Sequence, residues 1–127
     1  MIVVDASAAV AAVVNAGPAR SALSSEHLHA PHLIDAEVAS ALRRLVTTRH
    51  LGAHTGWGAL DAFRRLAITR YPLVAMLERV WQLRDNLSAY DASYVALAEL
   101  LGCDLMTADA RLSAAVGIRC PVTVVPR

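Results

Sequence analysis

Short apolar runs alternating with helical patterns predict an α/β protein, a parallel sheet covered by helices on both faces. Three observations carry this. Runs of three to five apolar, often β-branched residues recur along the chain, each too short for a helix. Between them, apolar residues recur at three- and four-residue spacing. The 127 residues are 56% hydrophobic and 18% charged, enough to bury one sizeable core, so a single domain over residues 1–127 is expected and disorder is excluded.

Residues 1–4 (Met-Ile-Val-Val) read as a buried first strand. Ser7 stands at a plausible helix N-cap for residues 8–14, and Asn15, Gly17 and Pro18 end that helix. A short helical piece fits residues 19–24, and a second strand fits 27–30 before Pro31. Over residues 32–50, Ile34, Val38, Leu42, Leu45 and Val46 mark one helical face, with Gly52 as the expected stop. Leu60, Phe63 and Leu66 share a face of a helix over 55–66. A strand over 67–71 precedes Pro72, and 73–83 is expected to be helical. Residues 91–101 form a strong helix closed by Gly102. Residues 104–107 are a strand, 110–116 a short helix and 122–125 a last strand.

Charge excludes several functions. All 12 basic residues are Arg and none is Lys. A P-loop lysine, a Schiff-base amine and the lysine of receiver or haloacid-dehalogenase sites are therefore missing. The net charge of +1 selects no partner, but its distribution is uneven. Residues 38–84 carry eight Arg against two acids, while both flanks are net acidic. Such a basic middle suits either a phosphate-bearing partner or the solvent faces of helices. The start has no basic segment ahead of its apolar run, and the longest uncharged stretch is broken by Asn15, Gly17 and Pro18. A cytoplasmic protein without a membrane span, its Cys103 and Cys120 reduced, is expected.

The few acids fall where sites form. Asp5 directly follows the first strand, and Asp109 follows the strand ending at Thr107. In a parallel α/β sheet, ligands bind at the carboxyl ends of strands. Asp91 opens one helix and Glu37 lies early on another, so both belong to the same edge. Singly, Asp91 and Asp109 suit helix N-termini and Glu37 suits a surface. Asp5, at the end of a buried strand, needs a partner. Four carboxylates at one edge repel one another unless a cation lies between them. Oxygen ligands favour a hard ion, Mg²⁺ or Mn²⁺, and the expected chemistry is phosphodiester hydrolysis. Ser7 and Thr107 are expected to orient the acids or their waters.

The segment Ile2-Val3-Val4-Asp5-Ala6-Ser7-Ala8 resembles the opening strand of PIN-domain ribonucleases, with an acid followed two residues later by a hydroxyl. Pro31 to Leu42 resembles the segment bearing that family's Glu, here Glu37, with Ser40 where Asn is common. Tyr90 to Leu112 is the strongest match and supplies Asp91, Thr107 and Asp109. The resemblance spans nearly the whole chain and is closest to the VapC-type toxins of toxin–antitoxin pairs. It implies a PIN-like three-layer α/β/α sandwich and an Mg²⁺- or Mn²⁺-dependent endoribonuclease that cuts cellular RNA. It also implies Asp5, Glu37, Asp91 and Asp109 as catalytic metal ligands, an antitoxin partner seated near the acids, and a homodimer.

Other signals are weaker. His27, His29 and His32 form H-x-H-x-x-H, and alternate strand positions point the same way, but no Cys or acid completes a metal set, so solvated strand-end histidines are expected. Trp57 and Trp81 are expected to pack in the core or a dimer contact rather than stack on bases. Gly52, Gly56 and Gly58 are no dinucleotide fingerprint, since no strand precedes them. Two further readings are a catalytically silent PIN-like binding module and a DNA-cutting nuclease. Four gathered acids disfavour the first, and the short chain disfavours the second. Part of the large apolar fraction is expected to cover a dimer or antitoxin surface.

Overall fold

The computed structural model describes residues 1–127. Five parallel strands form one sheet: β1 (Ile2–Val4), β2 (Leu28–Pro31), β3 (Ile68–Tyr71), β4 (Asp104–Thr107) and β5 (Val122–Val124), in the order β3-β2-β1-β4-β5. Seven helices connect them: α1 (Ala6–Val14), α2 (Pro18–Ser24), α3 (Ile34–Thr47), α4 (Ala53–Arg64), α5 (Leu77–Gln82), α6 (Ala89–Leu101) and α7 (Ala110–Ser113). The expected three-layer α/β/α sandwich is therefore what forms. Crossovers between parallel strands are right-handed. The chain moves one way from β1 through β2 to β3, which puts α1–α4 on one face. It then returns across the sheet to β4, which puts α5 and α6 on the other.

Each layer follows from its residues. β1 is entirely apolar and wholly buried, as a central strand covered on both faces requires. In α6, every residue from Ala92 to Ala98 is buried, and the helix lies across β1, β2 and β4. Ala, Val and Leu there let the helix sit close on the sheet. One cluster of 31 buried apolar residues fills both interlayer spaces.

Some boundaries differ from expectation, for local reasons. The N-cap of α1 is Asp5, not Ser7: the Asp5 carboxylate accepts the Ala8 N–H at 2.9 Å, and Ser7 lies inside the helix. α3 stops at Thr47, and Arg49, not Gly52, takes the left-handed turn at φ 63°. Gly52 instead begins α4 in an extended conformation. The helix expected over 73–83 is a 3₁₀ turn (Val74–Met76) followed by the short α5. α6 starts two residues earlier than expected because Ser88 caps it, accepting from the Asp91 N–H. α7 is one turn only.

Gly56 permits close packing of α4 on α3. A Cβ there would lie 2.5 Å from Val46 Cγ2, and the valine's rotamer is held by its own helix. Overpacking costs about 1–3 kcal/mol and Ala's better helix propensity returns about 1 kcal/mol. Gly56→Ala is therefore expected to destabilise by about 1 kcal/mol. Urea denaturation measures this, and a variant more stable than wild type would contradict it.

Candidate active site

The strand order places a switch point between β1 and β4, where the chain departs in opposite directions along the sheet. A crevice forms outside the strand carboxyl ends at such a point. Asp5 follows β1 and Asp109 follows β4, so these two acids flank it.

Asp5 is 5% exposed and fully engaged. One carboxylate oxygen, Oδ1, accepts the Ala8 N–H and the Ser7 hydroxyl at 2.7 Å. The other, Oδ2, accepts the Thr107 hydroxyl at 2.5 Å. Each hydroxyl has one proton and spends it on Asp5. The 3.2 Å approach of Ser7 Oγ to Thr107 Oγ1 is then packing rather than a further bond. As acceptors the same hydroxyls bind the next loop: Ser7 Oγ takes the Ala108 N–H at 2.8 Å and Thr107 Oγ1 takes the Asp109 N–H at 3.0 Å. Two hydroxyls thus tie the first turn of α1 to the β4–α7 loop.

Glu37, in the first turn of α3, accepts the Tyr94 hydroxyl at 2.5 Å. Tyr94 is 1% exposed and comes from α6 on the opposite layer, so this bond spans the sheet edge. Asp91 lies one turn before Tyr94 on α6, and residues three apart share a helix face. The tyrosine was not among the sequence candidates. Its i+3 relation to Asp91 was the available signal. Burial, then the Glu37 carboxylate, pushes the Tyr94 phenol far up, so it stays a donor.

Three of the acids are short of counter-charge. Burial pushes the Asp5 carboxyl up, against the hydrogen bonds from Thr107, Ala8 and Ser7, and the Asp91 charge adds to the rise. Glu37 is raised by burial first, with the charges of Asp91 and Asp5 contributing against the Tyr94 bond. Asp91 is raised by burial and then by Asp109, while Arg111 opposes. Asp109 differs: hydrogen bonding from Arg111 holds it below the usual carboxylate value. Asp5, Glu37 and Asp91 therefore lie close enough to sense one another, and Asp109 joins them through Asp91.

No three or more His, Cys, Asp or Glu side chains are grouped so as to hold a metal ion by themselves. The donor set still fits a hard cation. It is oxygen-only, it carries mutually repelling carboxylates, and ions such as Mg²⁺ keep several waters and bind through one or two carboxylates rather than all-protein cages.

The other signals resolve simply. His29 Nδ1 meets the Tyr71 hydroxyl at 2.7 Å, and His27 and His32 are exposed. Neither tryptophan is in the core: Trp57 is 53% and Trp81 67% exposed, each under an arginine, Arg64 and Arg84. Four of the eight arginines in the basic middle are spent on ion pairs, Arg64 and Arg65 with Asp61, Arg70 with Asp35 and Arg79 with Glu99. Arg111 pairs with Asp109, Arg127 also lowers that carboxyl, and Arg44 lines a cavity with Glu37; Arg111 and Arg127 lie outside that middle.

Residues 2–117 match the PIN domain family. The chain is 61% identical to ribonuclease VapC9 of Mycobacterium tuberculosis over 127 residues, the whole of both chains. It is 44% identical to ribonuclease VapC1 of the same species, over 97% of this chain and 96% of that one. Among solved structures, Mycobacterium tuberculosis VapC20, a sarcin-ricin loop cleaving toxin, superposes with a TM-score of 0.67 at 20% identity, covering 94% of this chain and 97% of that one. A Pyrobaculum aerophilum protein superposes with a TM-score of 0.72 at 24% identity, covering 95% and 81%. At those identities the two structures speak for the fold alone. The acid-bearing fold and the full-length relatives agree: the chain belongs to the PIN-domain family and, within it, to the VapC ribonucleases.

Proposed function

We propose that this single-domain chain is the toxin of a type II toxin–antitoxin pair, an endoribonuclease that hydrolyses phosphodiester bonds of cellular RNA in the cytoplasm. The observation that carries it is the gathering of Asp5, Glu37 and Asp91 at the β1/β4 switch point, each raised by burial and two of them also by the others' charge, with no ion-pair partner among them. Binding alone gives no reason to maintain such repulsion. The likeness to named VapC ribonucleases supports the same reading. No helix is long and apolar enough to cross a membrane.

Asp5, Glu37, Asp91 and Asp109 would hold Mg²⁺ or Mn²⁺. Bound there, the ion supplies Lewis acidity for attack of water on the phosphodiester and neutralises charge on the leaving oxygen. The chain's own residues prepare the place. Ser7 and Thr107 hold Asp5 by both oxygens, and Tyr94 fixes the rotamer of Glu37. Such outer contacts keep ligating oxygens oriented. Asp109 caps α7 through the Arg111 N–H, which sets its carboxylate at the rim.

Partners follow from surface. A cavity of about 420 Å³ runs from Ser7 and Glu37 along α1, with Val10, Val14 and Leu45 on its floor and Arg44 at its wall. This groove suits the antitoxin. Val74, Leu77 and Trp81, exposed by 73%, 50% and 67%, put apolar surface on the segment through α5 that suits a homodimer contact.

The test is cleavage of single-stranded RNA by the purified chain. Activity is expected with Mn²⁺ or Mg²⁺, to vanish with a chelator, and to fall by about 10³-fold in Asp91→Asn, the scale of losing a group that stabilises transition-state charge. Equal cleavage by Asp91→Asn and wild type, or cleavage indifferent to chelation, would overturn the proposal. A neighbouring short reading frame for a DNA-binding antitoxin would further support it.

A further inference from the structure

Asp109 is the one acid of the four that already carries a positive partner. The Arg111 guanidinium lies side-on to its carboxylate, Nε 3.1 Å from Oδ1 and Nη2 2.9 Å from Oδ2. Both oxygens therefore accept a guanidinium N–H. The arginine side chain is 91% exposed, against 24% for Asp109, and its only side-chain hydrogen bonds are those to Asp109, with the Asp91 charge adding a longer-range attraction. With the arginine side in solvent, the pair is screened and open to exchange, although its two-point geometry makes it firmer than a single exposed contact. A divalent ion on Asp109 brings twice the charge and repels a guanidinium beside it. Arg111 is tethered two residues away on α7 and cannot leave the rim. Its planar fork, once free, matches a phosphate as well as it matched the carboxylate. Arg127 stands on the same side, its Nε 3.5 Å from the Ala108 carbonyl, and adds positive charge there.

We propose that Arg111 is a displaceable counterion and positioning residue: it holds the Asp109 carboxylate in the ion-free protein, yields it to the divalent cation, and then binds a backbone phosphate of the RNA flanking the cut. This rests on the ribonuclease reading above and adds the residue that receives the substrate's backbone. It also couples the two ligands. RNA phosphate draws Arg111 off Asp109 and so favours the ion, and the ion frees Arg111 for RNA.

The experiment compares wild type, Arg111→Ala and Arg111→Lys. Mn²⁺ alone is titrated into each protein by calorimetry, and cleavage of a single-stranded RNA is measured at saturating Mn²⁺ over a range of salt. Arg111→Ala keeps the backbone N–H that Asp109 caps, so its fold should survive, which circular dichroism checks. It is expected to bind Mn²⁺ about 3–10-fold more tightly, because a competitor is gone. Its KM for RNA is expected to rise about 10-fold with kcat little changed, and the salt slope of RNA binding to drop by about 1. Arg111→Lys keeps the charge without the fork and should recover part of the RNA affinity. Mn²⁺ affinity that is unchanged or weaker in Arg111→Ala overturns the exchange, and an unchanged KM overturns the phosphate role. A wild type that neither binds Mn²⁺ nor cleaves RNA fails the ribonuclease reading itself, a distinguishable result.

Discussion

Asp5→Asn is expected to lose RNA cleavage by about 10³-fold or more and, at the same time, the stabilisation that a divalent ion confers. A ligand present at 100 times its Kd stabilises the folded chain by about 2.7 kcal/mol, which for a chain of this size raises Tm by about 10 °C. Wild type should show that rise with Mn²⁺, and Asp5→Asn should show little of it. Without the ion, the order changes with pH. Burial holds the Asp5 carboxyl above its ordinary 3.8, so the fold disfavours its ionised form. The associated stability is intact below about pH 3.8 and is lost as pH rises through the raised folded value. Asp5→Asn has no such loss, and its amide oxygen still accepts the Ala8 N–H or a hydroxyl. Ion-free Asp5→Asn is therefore expected to gain on wild type as pH rises from 4 to 7. Thermal unfolding with and without Mn²⁺, across that pH range, measures all of this. A wild-type-like Mn²⁺ shift in Asp5→Asn would remove Asp5 from the ion site.

Thr107→Val tests the hydroxyl bridge instead of the acid. The residue is fully buried, and valine preserves its shape while deleting one donor and one acceptor. Asp5 Oδ2 then loses its partner, and so does the Asp109 N–H. Leaving buried polar groups unpaired costs about 1–3 kcal/mol, a fall in Tm of about 4–11 °C. Freed from one side, Asp5 can rotate, and cleavage should drop about 10–100-fold, the usual effect of losing a contact that orients a ligating group. Thr107→Ser restores the hydroxyl and should restore most of the activity. Loss of stability with full activity in Thr107→Val would show that the bridge serves the fold alone.

Much of the architecture was legible beforehand because it rests on local pattern. Ile2–Val4 and Asp104–Thr107 are apolar runs of strand length, and Gly102, at φ 65°, ends α6 where expected. The failures are equally local. Ser7 is a good N-cap by type, but Asp5 stands one residue ahead of the helix and its carboxylate reaches the Ala8 N–H. The serine hydroxyl was then free to serve residues a hundred positions away, which no window of sequence can display. Arg49 takes a left-handed turn where glycine is usual, so residue type alone favours Gly52 as the stop.

By itself, the sequence determined the alternation of strand and helix, the absence of every lysine-dependent chemistry, and the positions of four carboxylates at strand ends and early in helices. Those properties depend on residue type and short-range spacing. Only the tertiary structure decided which side chains serve those carboxylates. Ser7 and Thr107 share Asp5, Tyr94 reaches Glu37 from the opposite layer, and Arg111, not the arginine-rich middle, stands on Asp109. The reason is geometric: parallel strands bring together residues separated by long crossovers, and contacts made at a sheet edge depend on strand order rather than on distance along the chain.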